Sequence, residues 1–170
     1  MKKIVKLAVF LSAICILASA ALYFVNDITS VIIQRNTQAE TNKLLAELYP
    51  DAEDFEAQEA AEKPITGIYK AVKGKEAQGT VYEIKTNGFQ SEIAMLLAIN
   101  TDGSLGGMKV ISQAETPGYG TQITTNQDYI NQYTEKTVND EIDTITGSTV
   151  TTSAVKTAVD AAIANWKSNN

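Results

Sequence analysis

The sequence predicts an α+β domain carried on a membrane helix, and three observations predict it. An apolar run from Ile4 to Val25 opens the chain. Four short aliphatic runs separated by turn signals fill the middle. The chain closes on Ala154, Val155, Ala158, Val159, Ala162, Ile163 and Trp166, which recur at helical spacing and form one apolar face. A meander with a helix laid over one face is the architecture these elements support.

A helix over Ile4 to Val25 is about 33 Å long, enough for a bilayer core. Lys2, Lys3 and Lys6 favour a cytoplasmic N-terminus and leave the rest of the chain outside. Ala18-Ser19-Ala20 also fits a signal-peptide cleavage site. Apolar residues continue past it, from Ala21 to Val25, which favours a retained anchor over 1-26. From Asp27 the sequence turns polar, with Gln34, Arg35, Asn36 and Gln38. Val31, Ile32, Leu44, Leu45 and Leu48 keep helical spacing, so a stalk is expected to run on and stop before Pro50. Asp51 to Lys63, with Asp54, Glu56, Glu59 and Glu62, reads as a solvated connector with no binding role, closing a segment 27-63.

The domain is expected over 64-170. Strands are expected at Ile65 to Val72, Val81 to Ile84, Ile93 to Ile99 and Met108 to Ile111. Gly74-Lys75 and Gln78-Gly79 read as turns, and Asp102-Gly103 as a hairpin turn. Asn126 to Tyr133 reads as a short helix whose Tyr129 and Tyr133 share a face and belong to the core.

Composition narrows the chemistry. The net charge of −6 opposes binding to nucleic acid. The chain has no histidine, which removes His-based triads and the commonest general base. Its single cysteine, Cys15, lies in the apolar run, so this chain alone builds neither a disulfide framework nor an iron–sulfur cluster. Redox chemistry here requires a bound organic cofactor.

Two stretches stand out. Asp143-Thr144-Ile145-Thr146-Gly147-Ser148-Thr149-Val150-Thr151-Thr152 is a hydroxyl-dense turn leading into the last helix. Thr151 or Thr152 is a natural N-cap, and the free amides of a helix start attract phosphate. Asp143 is placed to order the turn by accepting backbone amides. Gln113-Ala114-Glu115-Thr116-Pro117-Gly118-Tyr119-Gly120 centres on Pro-Gly, which favours a type II turn.

Asp-x-x-Thr-Gly-Ser-Thr resembles the D-x-x-[S/T]-G-A-T flavinylation motif of FMN-binding domains. These domains occur in the G subunit of Rnf electron transport complexes and the C subunit of the sodium-translocating NADH:quinone reductase. Ser148 stands where that family usually has Ala. Glu-Thr-Pro-Gly-Tyr-Gly resembles the family's second signature, with Tyr119 in place of Leu. The resemblance implies FMN held covalently through its phosphate on Thr149, with Asp143, Thr146, Gly147, Ser148, Thr151, Glu115, Thr116, Gly118 and Tyr119 around it. It implies no metal site in this chain, and a dedicated FMN transferase using FAD, with metal assistance, for maturation.

The function implied is that of a membrane-anchored, extracytoplasmic electron carrier, a redox subunit of an Rnf-type ion-translocating ferredoxin:NAD oxidoreductase working with other membrane subunits. The C subunit of the quinone reductase, a free-standing extracellular FMN carrier and a non-catalytic surface-anchored binding module are the competing readings. The quinone-reductase protein is usually longer, and the intact Gly147 and Thr149 speak against a module that has lost its flavin.

Overall fold

Every residue from Ile93 to Ile99 is apolar, so a strand built from them must be covered on both faces. The computed structural model of the chain has that arrangement. It describes residues 2–60 and 62–169; the side chains of Lys2, Ile28, Val31, Ile32 and Gln34 lie outside the description, and with them the expected spacing of Val31 and Ile32. The elements are α1 (Lys2–Leu48), β1 (Asp54–Gln58), β2 (Ile65–Lys73), β3 (Glu76–Asn87), β4 (Glu92–Asn100), β5 (Leu105–Ser112), α2 (Gln122–Thr125), α3 (Gln127–Glu135) and α4 (Thr149–Asn169). The strands form one antiparallel sheet in chain order.

By internal packing the chain divides into Met1–Ala39 and Glu40–Asn170. The first unit belongs to α1. Within it Lys3–Asp27 is a helical stretch long and apolar enough to cross a membrane. Its large side chains, Leu7, Phe10, Leu17 and Leu22 among them, are exposed.

The second unit holds the sheet and its two cores. Ile93, Met95, Leu97 and Ile99 point one way and meet Ile123, Tyr129 and Tyr133 from α2 and α3, and Val155, Ala158, Val159, Ala162 and Ile163 from α4. Ala94, Leu96 and Ala98 point the other way. There Leu96 and Ala98, with Ala71 and Val81 of the neighbouring strands, are covered by Leu44, Leu45 and Tyr49 from the end of α1. Each large aliphatic side chain buried this way contributes roughly 1.5–3 kcal/mol. The α1 helix ends at Leu48, because the residue before Pro50 is driven out of the helical region. Tyr129 and Tyr133 are core residues as expected, and their hydroxyls hydrogen-bond to each other at 2.9 Å.

Three local expectations change. The connector carries a fifth strand, β1, whose Asp54 to Gln58 pair with Val72 to Ile68; Phe55 joins the core beneath α1 and gives this acidic stretch a reason to order. Gln78-Gly79 is not a turn but lies inside β3, with the reversal at Gly74, φ +61°. Gly79 is there for space: a Cβ would run into the Tyr49 hydroxyl and reach 2.6 Å from the Ile99 carbonyl oxygen. Finally, Leu44, Leu45 and Leu48 serve as the lid of a second core rather than only as a stalk stripe.

Gly79→Ala is therefore expected to cost about 1–3 kcal/mol, the usual range for overpacking against backbone. Urea unfolding of the full chain in detergent measures it. A midpoint equal to the parent's would show that Tyr49 moves aside freely.

Candidate cofactor site

The last helix begins earlier than its hydroxyls led one to expect. Gly147 takes φ +84°, which L side chains rarely adopt, and reverses the chain so that Ser148 N donates to Ile145 O at 3.0 Å. Helix α4 then starts at Thr149. Thr151 and Thr152 are inside its first turn and neither is the N-cap. The Thr152 hydroxyl donates back to Ser148 O at 3.0 Å and accepts from Ile145 N at 3.2 Å. The Thr151 hydroxyl donates to Glu115 Oε2 at 2.7 Å. Ser148 precedes the helix, but its hydroxyl donates to Tyr119 O at 2.6 Å instead of capping. Among the described residues the amides of Thr149, Val150 and Thr151 have no acceptor. The first turn carries no acidic side chain.

Glu115 is the hub. It is 4% exposed, in the loop after β5. Its Oε1 accepts from Gln90 N at 2.9 Å, Ser91 N at 2.8 Å and the Ser91 hydroxyl at 3.3 Å. Its Oε2 accepts from Phe89 N at 3.2 Å and from the Thr151 hydroxyl at 2.7 Å. Burial alone would raise its pKa; the hydrogen bonds from Thr151, Gln90, Ser91 and Phe89 outweigh burial and hold the carboxyl below its ordinary value. One side chain thus ties the β3–β4 turn to the first turn of α4. Gly88 and Gly120 make room for it: a Cβ on either would come within 2.6 Å and 2.5 Å of its carboxylate oxygens.

The Pro-Gly turn forms as expected. Gly118 has φ +76°, and Tyr119 N donates to Thr116 O at 3.2 Å. Thr116 donates its hydroxyl to Gln90 Oε1 at 2.9 Å, a second tie to the β3–β4 turn.

A cavity of about 410 Å³ lies between these segments, within the range usual for small-molecule sites. Of the expected residues, Glu115, Thr116 and Tyr119 line it from one loop, and Gly147, Ser148, Thr149 and Thr151 from the other. Gly118 shapes the turn without lining the cavity, and Thr146 is exposed beside it. Asp143 is away from it: its carboxylate accepts from Lys136 Nζ at 2.7 Å, not from backbone amides. That hydrogen bond holds its carboxyl below the ordinary value. The pair is open to water, with the Asp143 side chain 78% exposed, so its worth lies in shaping the loop rather than in stability. Lys136 also donates to Glu141 O at 2.6 Å and Gln132 Oε1 at 2.8 Å, which anchors the loop before Thr146.

Sequence reasoning missed Phe89, Gly120 and Val150, which also line the cavity. Phe89 is the informative one. It is the single apolar residue in Lys85-Thr86-Asn87-Gly88-Phe89-Gln90-Ser91, and that isolation is a signal in the sequence.

Glu115→Gln keeps the shape but replaces one acceptor by a donor and removes the charge. It is expected to destabilise the full chain at pH 7 by about 1.5–3 kcal/mol. The parent's carboxyl has a lower pKa folded than unfolded, so its stabilisation is present above the ordinary carboxylate range and is lost as pH falls through the folded value. The gap between parent and variant should then close on acidification. Equal urea midpoints at pH 7 would show that the hub is dispensable.

The chain is similar to known proteins. Residues 88–164 match the family described as FMN-binding domain. The chain is 30% identical over 190 residues to the G subunit of the Na(+)-translocating ferredoxin:NAD(+) oxidoreductase complex of Acetobacterium woodii, covering 95% of this chain and 91% of that protein. It is 28% identical to the G subunit of the ion-translocating oxidoreductase complex of Vibrio vulnificus, covering 90% and 82%. The crystal structure of Shewanella oneidensis NqrC overlays on 68% of this chain and 67% of its own, with a TM-score of 0.49 and 18% identity. The chain belongs to the FMN-binding domain family that includes the G subunit of Rnf-type ion-translocating oxidoreductase complexes.

Proposed function

We propose that this chain is the FMN-carrying subunit of an Rnf-type ion-translocating ferredoxin:NAD oxidoreductase, anchored by residues 1–26 with the domain 64–170 outside the cytoplasm, and that FMN is esterified to Thr149. The observation that carries the reading is the combination at the start of α4: amides of Thr149, Val150 and Thr151 without acceptors, at the rim of a cavity of about 410 Å³. Such a helix start favours a phosphate both through its dipole and through its free N–H groups.

The residues fit the group. Gly147 has nothing within 4 Å of where a Cβ would stand, so a phosphate has room beside the turn. The hydroxyls also separate cleanly. Those of Ser148, Thr151 and Thr152 are engaged in hydrogen bonds of 2.6–3.0 Å. Thr146 is outside the cavity lining. Thr149 lines the cavity, is exposed, and its hydroxyl has no partner among the described residues. FMN, when bound, supplies the electron transfer that no side chain here offers.

Thr149 has no base beside it, and the chain has no histidine. Attachment therefore calls for a transferase. With FAD as donor, the Thr149 oxygen takes the FMN phosphorus, AMP leaves, and the hydroxyl proton passes to a base on the transferase. Covalent attachment suits a site outside the membrane, where a dissociated flavin would be lost. Electrons from a cytoplasmic donor need other subunits with their own carriers, since the described residues offer one candidate cofactor site.

Thr149→Ala should abolish the fluorescent flavin band on a denaturing gel, with the fold kept because the side chain is exposed. Thr149→Ser should retain part of the label. Mass spectrometry placing flavin on Thr146, Ser148, Thr151 or Thr152, or a band persisting in Thr149→Ala, would overturn the assignment. Protease added to intact cells should digest the domain; protection until lysis would reverse the orientation.

A further inference from the structure

Phe89 is an aromatic side chain with 72% of its surface exposed, at the tip of the β3–β4 turn. A large apolar ring held in water is unfavourable unless something covers it. It is not on a loose loop. Its amide donates to Glu115 Oε2 at 3.2 Å, and the same oxygen accepts from Thr151 in the first turn of α4 at 2.7 Å. One carboxylate oxygen thus sets the spacing between the Phe89 backbone and the helix start. The same cavity is lined by Tyr119, 62% exposed, whose carbonyl is held by the Ser148 hydroxyl at 2.6 Å. Two exposed aromatic residues therefore line one cavity, Phe89 linked through Glu115 to Thr151 and Tyr119 bonded directly to Ser148.

Resting on the FMN reading above, we infer that Phe89 packs against the isoalloxazine ring, in the cavity that Tyr119 also lines, and that Glu115 is the positioning residue that fixes its distance from the phosphate end. The chemistry matches: the ring is flat, aromatic and larger than either side chain, and aromatic groups gain from stacked or edge contacts beyond simple burial. A phosphoester alone leaves the flavin free to rotate about its ribityl chain. A wall carried on the same hydrogen-bonded frame as the attachment point removes that freedom and presents the ring in one orientation.

The test uses the full chain matured with its transferase in cells. Phe89→Trp is made in a Tyr119→Phe background, which removes the other electron-rich ring. An indole in contact with a flavin quenches its fluorescence by electron transfer. The denaturing gel measures how much of each variant carries flavin, and fluorescence and dichroism are compared per labelled chain. Native flavin fluorescence should fall several-fold relative to the Tyr119→Phe parent and recover in urea. Phe89→Ala should lose most of the visible circular dichroism per bound flavin. A labelled Phe89→Trp chain with unquenched fluorescence, or a labelled Phe89→Ala chain with the parent's dichroism, overturns the inference and leaves the Thr149 assignment standing. Absence of the band in the parent overturns both.

Discussion

The site depends on one buried carboxylate with no cation beside it. Burying a charge is costly unless polar groups replace its water. For Glu115 three backbone amides and two hydroxyls do so. Each bond to a charged acceptor is worth more than a neutral one, and together they make the ionised form the stable one. The constraint radiates outward. Residues 88 and 120 must be glycine-sized to let the carboxylate through. The β3–β4 turn must stop where its amides meet Oε1 and Oε2. Residue 151 must carry a hydroxyl although it lies in a helix, where threonine is a poor former.

The same arrangement keeps the start of α4 bare. A capping side chain there would add about 1 kcal/mol of helix stability. Four hydroxyl residues stand within reach, yet three are directed to Tyr119, Glu115 and Ser148 carbonyl or carboxylate oxygens, and the fourth, Thr149, bonds to none among the described residues. No acidic residue occupies the first turn. The nearest buried negative charge, Glu115, is already saturated by donors. In the proposed reading, a helix terminus that forgoes its usual cap while three flanking hydroxyls are spent on fixing loops is arranged for the flavin phosphate rather than for its own stability.

How much of this could be read from the sequence follows from the range of the forces involved. Helix α4 was legible from its local apolar period of 3.6 residues, and strand β4 from an unbroken apolar run, Ile93 to Ile99. The Pro-Gly turn and the turn at Gly147 were legible because positive φ is a property of single residues. The motif order brought Glu115 and Thr149 into one site, although the expectation that Asp143 orders the turn through amides did not survive. Lys136 competes for that carboxylate, and its position is set by α3. Gly79 was misread as a turn because a glycine that makes room for Tyr49, 30 residues away in sequence, leaves no local trace. The role of Glu115 was hidden for the same reason: its donors lie 24 to 36 residues away. Strand β1 was hidden because its acidic side chains face water and only Phe55 is partly buried.

The register of the sheet adds a constraint on electron flow. Asn87 pairs with Glu92, and Ala94 with Ser112, so the cavity loops gather at one end of β3, β4 and β5. Gly79 pairs with Asn100 at the other end, and there Tyr49 donates to Asn100 Oδ1 at 2.8 Å. The end of α1 therefore docks onto the sheet at the pole opposite the site. Strand β4 runs the whole way between them, about 27 Å at the usual rise per residue. That is too long for a single electron-transfer step through protein, and no second cofactor site lies on the path among the described residues. In the proposed reading, the donor and acceptor approach the cavity across the rim formed by Phe89, Tyr119 and Val150, which are its exposed apolar residues. In the proposed reading the described residues hold one electron site, at one end of the sheet, and its connections are left to partners.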